Sequence, residues 1–123
     1  MKIFKTKQFS KIAKKMHVTD QSLYLTIMEM IEGKIDAHLG GFLYKKRVPL
    51  EGRGKRGGAR TIIAANLQDK WIFLYGYPKN KKDNLDDTEL RIYRSLAERL
   101  VIQDIESLST FLEEVFYEND TQK

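Results

Sequence analysis

The stretch that decides the fold runs from Leu39 to Asn80 and reads LGGFLYKKRVPLEGRGKRGGARTIIAANLQDKWIFLYGYPKN. Its segments 42–48, 60–67 and 71–78 are apolar or alternating, which is typical of β-strands. Residues 49–58 hold four of the eight glycines and one proline, a composition that predicts a hairpin loop. A short turn at 68–70 joins the last two segments, so the stretch predicts an antiparallel sheet.

Helical patterns lie on both sides of this stretch. Apolar residues recur at helical spacing in 6–16, and Thr19 or Asp20 begins a second helix that Gly33 ends. Asp86 or Asp87 caps a third helix, and a weaker helix is predicted from about Ser107 to Tyr117. The order predicts an α+β domain: a small antiparallel sheet of three to four strands, with the N-terminal helices and the C-terminal helix packed on one face.

The size and composition predict one domain. The chain has 123 residues, which we divide into a core of about 6–100 and an acidic helical tail of 101–123. The absence of cysteine excludes disulfides, thiolate metal sites and thiol nucleophiles. No apolar run is long enough to cross a bilayer, and the first residues, MKIFKTKQF, lack the apolar stretch of a signal peptide. We therefore expect a cytoplasmic protein without a membrane partner.

The net charge of +5 is unevenly distributed. Residues 1–15 carry six lysines and no acid, and residues 43–60 carry seven Lys or Arg against Glu51 alone. From Val101 onward, six acids stand against Lys123. A single charge run usually covers a solvated surface, but the cations of 43–60 alternate with strand residues and glycines. This pattern favours a polyanionic partner for the basic body.

Strand alternation predicts which of these cations meet. Arg60 shares a face with Ile62, and Lys45 and Arg47 share a face of the preceding strand. Tyr75 and Tyr77 share a face of the last strand, and Lys79 continues their row. If the strands pair in order, Arg47, Arg60, Tyr77 and Lys79 converge. The loop cations Arg53, Lys55 and Arg56 would close over them.

A cluster of Arg, Lys and Tyr suits the cleavage of RNA, which carries its own nucleophile in the 2′-hydroxyl. Such an enzyme must orient that hydroxyl, remove its proton, stabilise the charged phosphorane and protonate the leaving 5′-oxygen. Crowded cations lower the pKa of a lysine, which makes it a candidate base, and arginine binds the non-bridging oxygens. Tyr75 or Tyr77 would stack on a base or orient the phosphate.

Other kinds of site are not supported. His17 and His38 have no acid or hydroxyl at a suggestive spacing, so we interpret both as surface or packing residues. Helix capping explains Asp83, Asp86 and Asp87 better than metal binding does. The GRGKRGG segment lacks the spacing of a nucleotide-binding P-loop. The sequence thus predicts neither a metal nor a cofactor.

The runs GKRGGARTII and FLYGYPKNKKDNLDDTEL, with AHLGGFLYKKRV upstream, resemble the RelE/HigB-type toxins of bacterial type II toxin–antitoxin modules. The similarity covers roughly Phe9 to Leu100, and the two paired motifs stand in order at the spacing of that family. The resemblance implies a RelE-like fold and a ribosome-dependent mRNA endonuclease, or mRNA interferase, that inhibits translation. It also implies an antitoxin partner, often a helix-turn-helix protein.

Family roles carry over position by position. Arg60 matches the arginine that stabilises the phosphate and the transition state, Lys55 and Arg56 match the basic loop, and Lys79 matches the cation after the last strand. Arg47 matches the preceding basic strand. Together with Tyr77, these assignments define the predicted catalytic and RNA-binding sets. The catalytic set is Arg60, Lys55, Arg56, Lys79 and Tyr77, and the RNA-binding set is Lys45, Arg47, Arg53, Tyr75 and Lys81.

The sequence departs from the family pattern in two places. Members often bear a catalytic tyrosine or histidine beyond the last strand, whereas this chain continues with Lys81, Lys82 and Asp83. Tyr77 would substitute from within the strand. The acidic tail is longer than the minimal toxin needs, and we expect it to form a solvated helix in preference to a cover for the basic site.

Three other functions remain open at this stage. A ParE-type relative shares the fold but poisons DNA gyrase, and the clustered loop cations argue against it because that class needs no phosphate-cleaving site. A non-catalytic RNA- or ribosome-binding module would bind RNA in a salt-sensitive way without cutting it. A degenerate toxin would keep the strands only as an antitoxin-docking surface.

Overall fold

The computed structural model describes residues 2–50, 54–82 and 84–116, with the backbone alone for 54–57. In these ranges the chain forms one mixed six-stranded sheet and four helices. The elements in chain order are β1 (Lys2–Thr6), α1 (Lys7–Met16), α2 (Asp20–Ile31), β2 (Ala37–His38), β3 (Leu43–Leu50), β4 (Gly54–Ala65), β5 (Lys70–Pro78), α3 (Asp87–Ile102), α4 (Ile105–Leu108) and β6 (Leu112–Glu114).

The sheet has the strand order β2-β3-β4-β5-β1-β6. The predicted antiparallel β3, β4 and β5 form its centre, so the α+β class is confirmed. The strand number was wrong, and the sheet is not purely antiparallel, because β1 pairs in parallel with β5. The edge strands β2 and β6 were missed because they have only two and three residues, and β1 was missed because its partner β5 lies far away in the sequence.

The last predicted helix is also wrong. Leu108, Leu112 and Val115 have helical spacing, but α4 ends at Leu108 and 112–114 pair antiparallel with β1. Residues 101–102 belong to α3, so the described part of the expected tail is anchored in the domain. The residues from Tyr117 onward lie outside the described ranges.

The helices cover both faces of the sheet, not one as predicted. On one face, α1 and α2 pack on Ile63, Ala65 and Phe73. On the other, α3 packs on Ile62 and Ala64. Alternate residues of β4 are therefore buried in separate cores, which accounts for its continuous apolar run.

Local signals set the helix ends. The Thr6 and Thr19 hydroxyls cap α1 and α2 by accepting hydrogen bonds from Phe9 N and Ser22 N. Asp86 forms a capping box with Glu89 at the start of α3. The predicted starts of α2 and α3 are thereby confirmed. None of the helices in the described ranges is long and apolar enough to cross a bilayer.

The predicted loop 49–58 is mostly strand. β3 continues through Leu50, β4 begins at Gly54, and the ladder shifts register between Val48 and Leu50. Only 51–53, which lie outside the described residues, separate the two strands. Glycine composition misled the prediction here, because Leu50 pairs with Gly54.

An irregularity in β5 decides which way its tyrosines face. Ile62 pairs with Tyr75, but the next residue, Ile63, pairs with Phe73, so Leu74 is an extra residue. Strict alternation would place Tyr75 and Tyr77 on the same face as Phe73. The bulge instead turns both tyrosines to the α3 face.

Candidate active site

Arg47, Arg60 and Tyr77 form one row across β3, β4 and β5. Arg47 is the register partner of Arg60, and Arg60 is the register partner of Tyr77. Residues directly opposite each other in antiparallel strands point to the same face, with their Cβ atoms about 5 Å apart. The predicted convergence of these three side chains is therefore present in the fold.

Arg60 is the central and most buried cation of this row. Its side chain is largely enclosed, with 7% of the residue exposed, and Nη1 has no hydrogen-bond partner among the described residues. A buried guanidinium nitrogen without a partner is costly, because it has lost its hydration without gaining an acceptor. An anionic ligand with oxygen acceptors would satisfy it.

Tyr77 lies beside Arg60 and remains a neutral phenol. Burial raises its pKa, and the nearby charges of Lys82 and Arg60 oppose that shift only in part. At neutral pH the hydroxyl therefore keeps its proton. A protonated phenol next to a guanidinium can donate a hydrogen bond or a proton to an oxygen bound there.

Lys82 was absent from the predicted site but lies in its centre. Its Nζ is 5.5 Å from the ring centroid of Tyr77 and 5.7 Å from that of Tyr75, in cation–π geometry. The same Nζ donates to both carboxylate oxygens of Glu89, at 2.7 and 2.8 Å. The hydrogen bond to Glu89 raises the pKa of Lys82, so this lysine is a fixed cation and not the low-pKa base expected of crowded lysines.

Glu89 is positioned by the start of α3. Its Oε1 accepts from Asp86 N at 3.0 Å, and its own N–H donates to Asp86 Oδ1 at 2.8 Å. The capping box thus positions the carboxylate of Glu89, and this carboxylate in turn binds Lys82. The signal for this arrangement is present in the sequence, because Asp86 is followed three residues later by Glu89.

The aromatic wall of the site extends from β5 to α3. Tyr75 stacks on Tyr93 with ring centroids 5.3 Å apart and an interplanar angle of 16°. The rings of Tyr75 and Tyr77 are 5.7 Å apart. Tyr93 was also missed, because its helical spacing indicated only a core residue. One face of Tyr75 is therefore already covered within the protein.

The two predicted RNA-binding cations of β3 have different partners. Lys45 Nζ donates to Asn84 Oδ1 at 2.7 Å, next to the start of α3. Arg47 is exposed, and Asp36 holds it by accepting from its backbone N–H at 2.7 Å and placing Oδ1 3.7 Å from Nε. These contacts leave Lys45 and Arg47 on the face of Arg60.

Two of the remaining predicted cations, Lys79 and Lys81, follow the end of β5. Lys79 and Lys81 are exposed, and neither ammonium has an ion-pair partner within the described part of the chain. Lys79 N donates to Gly58 O at 3.1 Å, which places the segment after β5 beside the first half of β4. Lys55 and Arg56 belong to that half, although their side chains are outside the described set, as is all of Arg53.

Both histidines have structural roles. His17 ends α1 in a left-handed conformation, with φ of 59°. The ring of His38 stacks on Tyr44, and its Nε2 is hydrogen-bonded to Gly41 O at 2.8 Å. Asp86 caps α3 as expected, and Asp83 lies outside the described residues. In the ranges covered by the structure, no three acidic or histidine side chains are grouped as metal ligands would be.

The sequence matches the family model of the RelE toxin of the RelE/RelB toxin–antitoxin system over residues 1–118. No curated protein matches the chain significantly. The matched range includes the row of Arg47, Arg60 and Tyr77 and also Lys82 and Glu89. It covers nearly all of the 123 residues, so the resemblance inferred from the motifs is confirmed. The chain belongs to the RelE toxin family of toxin–antitoxin systems.

Proposed function

We propose that this toxin is a metal-independent endoribonuclease that cleaves messenger RNA on the ribosome and thereby inhibits translation. The observation that carries the proposal is Arg60, a buried guanidinium whose Nη1 has no partner among the described residues and which lies beside the neutral phenol of Tyr77. Toxins of the RelE family are generally endoribonucleases, which supports the reaction class.

In the proposed reaction the RNA 2′-oxygen attacks the adjacent phosphorus while its proton passes to a base. The bond from phosphorus to the 5′-oxygen then breaks, and that oxygen takes up a proton. The products are a 2′,3′-cyclic phosphate and a 5′-hydroxyl. No metal or redox partner is needed for this balance, because the nucleophile belongs to the substrate.

Arg60 binds the non-bridging oxygens and stabilises the phosphorane, as a buried fork-shaped donor is suited to do. Tyr77 donates its proton to the leaving 5′-oxygen, since its raised pKa keeps the phenol protonated. Lys82 supplies a fixed positive charge next to Tyr77. We assign proton removal and further phosphate contacts to Lys55, Arg56 and Lys79.

The flanking residues bind the rest of the message. Lys45, Arg47 and Lys81 contact neighbouring phosphates, with Arg53 contributing from the β3–β4 connection. Tyr75 orients a base with the part of its ring that Tyr93 leaves uncovered.

The family implies an antitoxin partner. We propose that it is a helix-turn-helix protein, and that one of its segments lies along the sheet or helices and blocks the cationic cleft. Because the proposed substrate is messenger RNA on translating ribosomes, we expect the toxin to act in the cytoplasm.

The test is induced expression of the wild type and of Arg60→Ala, with the 5′ ends of cellular mRNA mapped in both. Arg99→Ala is the matched control. Arg99 is an exposed arginine in the last turn of α3, whereas Glu89 of the site lies in the first turn. New in-frame cuts in coding regions with the wild type and Arg99→Ala, absent with Arg60→Ala, would support the proposal. Arrested replication with intact messages would favour a gyrase poison, and folded protein without effect would favour a binding module or a degenerate toxin.

A further inference from the structure

The exposed surface of α1 carries four lysines that the proposed active site does not use. Lys7, Lys11, Lys14 and Lys15 are all exposed, and residues 1–15 contain no acid. Within the described ranges, none of their ammonium groups takes part in a hydrogen bond or an ion pair. The opposite side of α1 is buried through Phe9, so the four lysines lie on the side of the helix that faces away from the core.

Lys14 and Lys15 suit the last turn of α1, but the other two lysines are unfavourable for the helix that carries them. Lys7 lies in the first turn, where the helix dipole disfavours a cation, and no acid there compensates. Lys7 and Lys11 are four positions apart, and Lys11 has like-charged neighbours three and four positions on, so the charges repel. An ordinary solvated helix such as α3 interleaves acids with its arginines. A single-signed surface without internal partners points to an external polyanion.

A groove made of two adjoining cavities connects Lys15, at the edge of this surface, with the active site. One part, of about 410 Å³, lies between α1 and the end of β5 and is lined by Lys15, Met16, Tyr77 and Lys82, among others. An adjoining part of about 430 Å³ shares Lys15 and Met16 and extends to Leu50. The pairing of β1 with β5 stops at Phe73, so this groove runs along the edge of β5 that β1 leaves uncovered.

We propose that α1 and this groove form a second RNA-binding surface, which holds the sugar–phosphate backbone of the message flanking the cleaved phosphate. The inference rests on the proposed function, because it extends the same substrate from Tyr77 around the β5 edge to the lysines. The helix is about 15 Å long, which is enough to contact more than one phosphate. The groove supplies apolar walls and the lysines supply charge, which is a combination suited to single-stranded RNA.

The test measures binding of non-cleavable 2′-O-methyl RNA to the full chain over a range of salt concentrations. Two probes of the same composition are used: a trinucleotide that reaches only the Arg60 site and a longer oligonucleotide that extends to α1. The test variant replaces Lys7, Lys11 and Lys14 by Gln. The control replaces Lys34, Arg91 and Arg99 by Gln, which removes the same charge from other exposed positions.

The test variant should bind the longer probe at least tenfold more weakly at low salt and the trinucleotide as the wild type does. Its slope of log K against log salt should fall by about two, because each single-strand phosphate contact contributes about 0.7. Equal losses in test and control variants, or equal losses for both probes, would reduce the effect to overall charge and overturn the proposal. Unchanged binding of the longer probe would also overturn it and would direct attention to an acidic protein partner.

Two readouts separate this inference from the proposed function. Thermal unfolding of both triple variants checks that their folds are intact. We expect them to be stable, because all six positions are exposed. The failure of the nuclease proposal would appear in the mapped mRNA ends of the wild type. The failure of the α1 surface would appear only in the difference between the two probes.

Discussion

Arg47 and Arg60 stand directly opposite each other on β3 and β4, although both carry a positive charge. Like charges in this position normally destabilise a sheet. Asp36 forms an ion pair with Arg47, whereas Arg60 is enclosed and its Nη1 has no partner in the part of the chain that the structure describes. The fold therefore tolerates a locally unfavourable pair at the position where a phosphate would bind, as expected for a site that a ligand completes.

The first prediction concerns Arg60. Arg60→Met keeps much of the volume and removes the buried charge, so the free energy of unfolding should stay equal or rise by up to about 2 kcal/mol. RNA cleavage should fall by about 10²–10³-fold, because one transition-state donor is lost. Chemical denaturation and a cleavage assay check the two effects. A large loss of stability would mean that Arg60 is a structural residue.

The second prediction concerns the link between Lys82 and Glu89. Glu89→Gln keeps a capping box at the start of α3 but removes the charge that fixes Lys82. Stability should change by less than about 1 kcal/mol, because the ion pair is partly exposed. Cleavage should fall by about tenfold, because Lys82 remains charged but is no longer held in position. Full activity with a mobile Lys82 would show that its position is unimportant.

Alkaline pH should destabilise the fold through Tyr77 and Lys82. Both pKa values are raised above their ordinary values of 10.0 and 10.5, so the folded state holds these protons more tightly than the unfolded chain does. Their contribution is complete below about pH 10 and is lost as the pH rises further. Thermal unfolding of the wild type and Tyr77→Phe across this range checks it. The variant should show a shallower decline, and identical slopes would contradict the assignment.

Gly76 should not accept a side chain. A Cβ there would lie 3.2 Å from Phe9 Cε1 and 3.3 Å from both Arg60 O and Met16 Cε. Because α1 packs this closely on β5, Gly76→Ala should cost about 1–3 kcal/mol of stability. The control is Ser95→Ala on the exposed side of α3. Equal unfolding free energies for the two variants would show that α1 adjusts without strain.

Much of the fold follows from local patterns that survive in the tertiary structure. The start of α2 at Thr19 and that of α3 at Asp86 agree with the capping signals, and the apolar periodicity of both helices matches their buried sides. The three central strands were also predictable, because their apolar runs are separated by turn residues. Helix ends and hairpins depend mainly on neighbours in sequence, so a sequence pattern suffices.

The strands β1 and β6 and the second helical face were not predictable in this way. Lys2–Thr6 becomes a strand only because β5 offers a parallel partner far along the chain. Residues 112–114 have a helical pattern but pair with β1 instead. Long-range pairing outweighed local propensity at both places.

By itself, the sequence determined the α+β class, the family and the first two members, Arg47 and Arg60, of the row across the central strands. Only the tertiary structure decided how that row is completed. The bulge at Leu74 turns Tyr77 away from the face of Phe73 and toward Arg60, and α3 brings Glu89 to Lys82. Alternation along a strand predicts which residues share a face only where the hydrogen-bonded pairing with the neighbouring strand is regular. One extra residue reverses the assignment, and nothing local in the sequence marks its position.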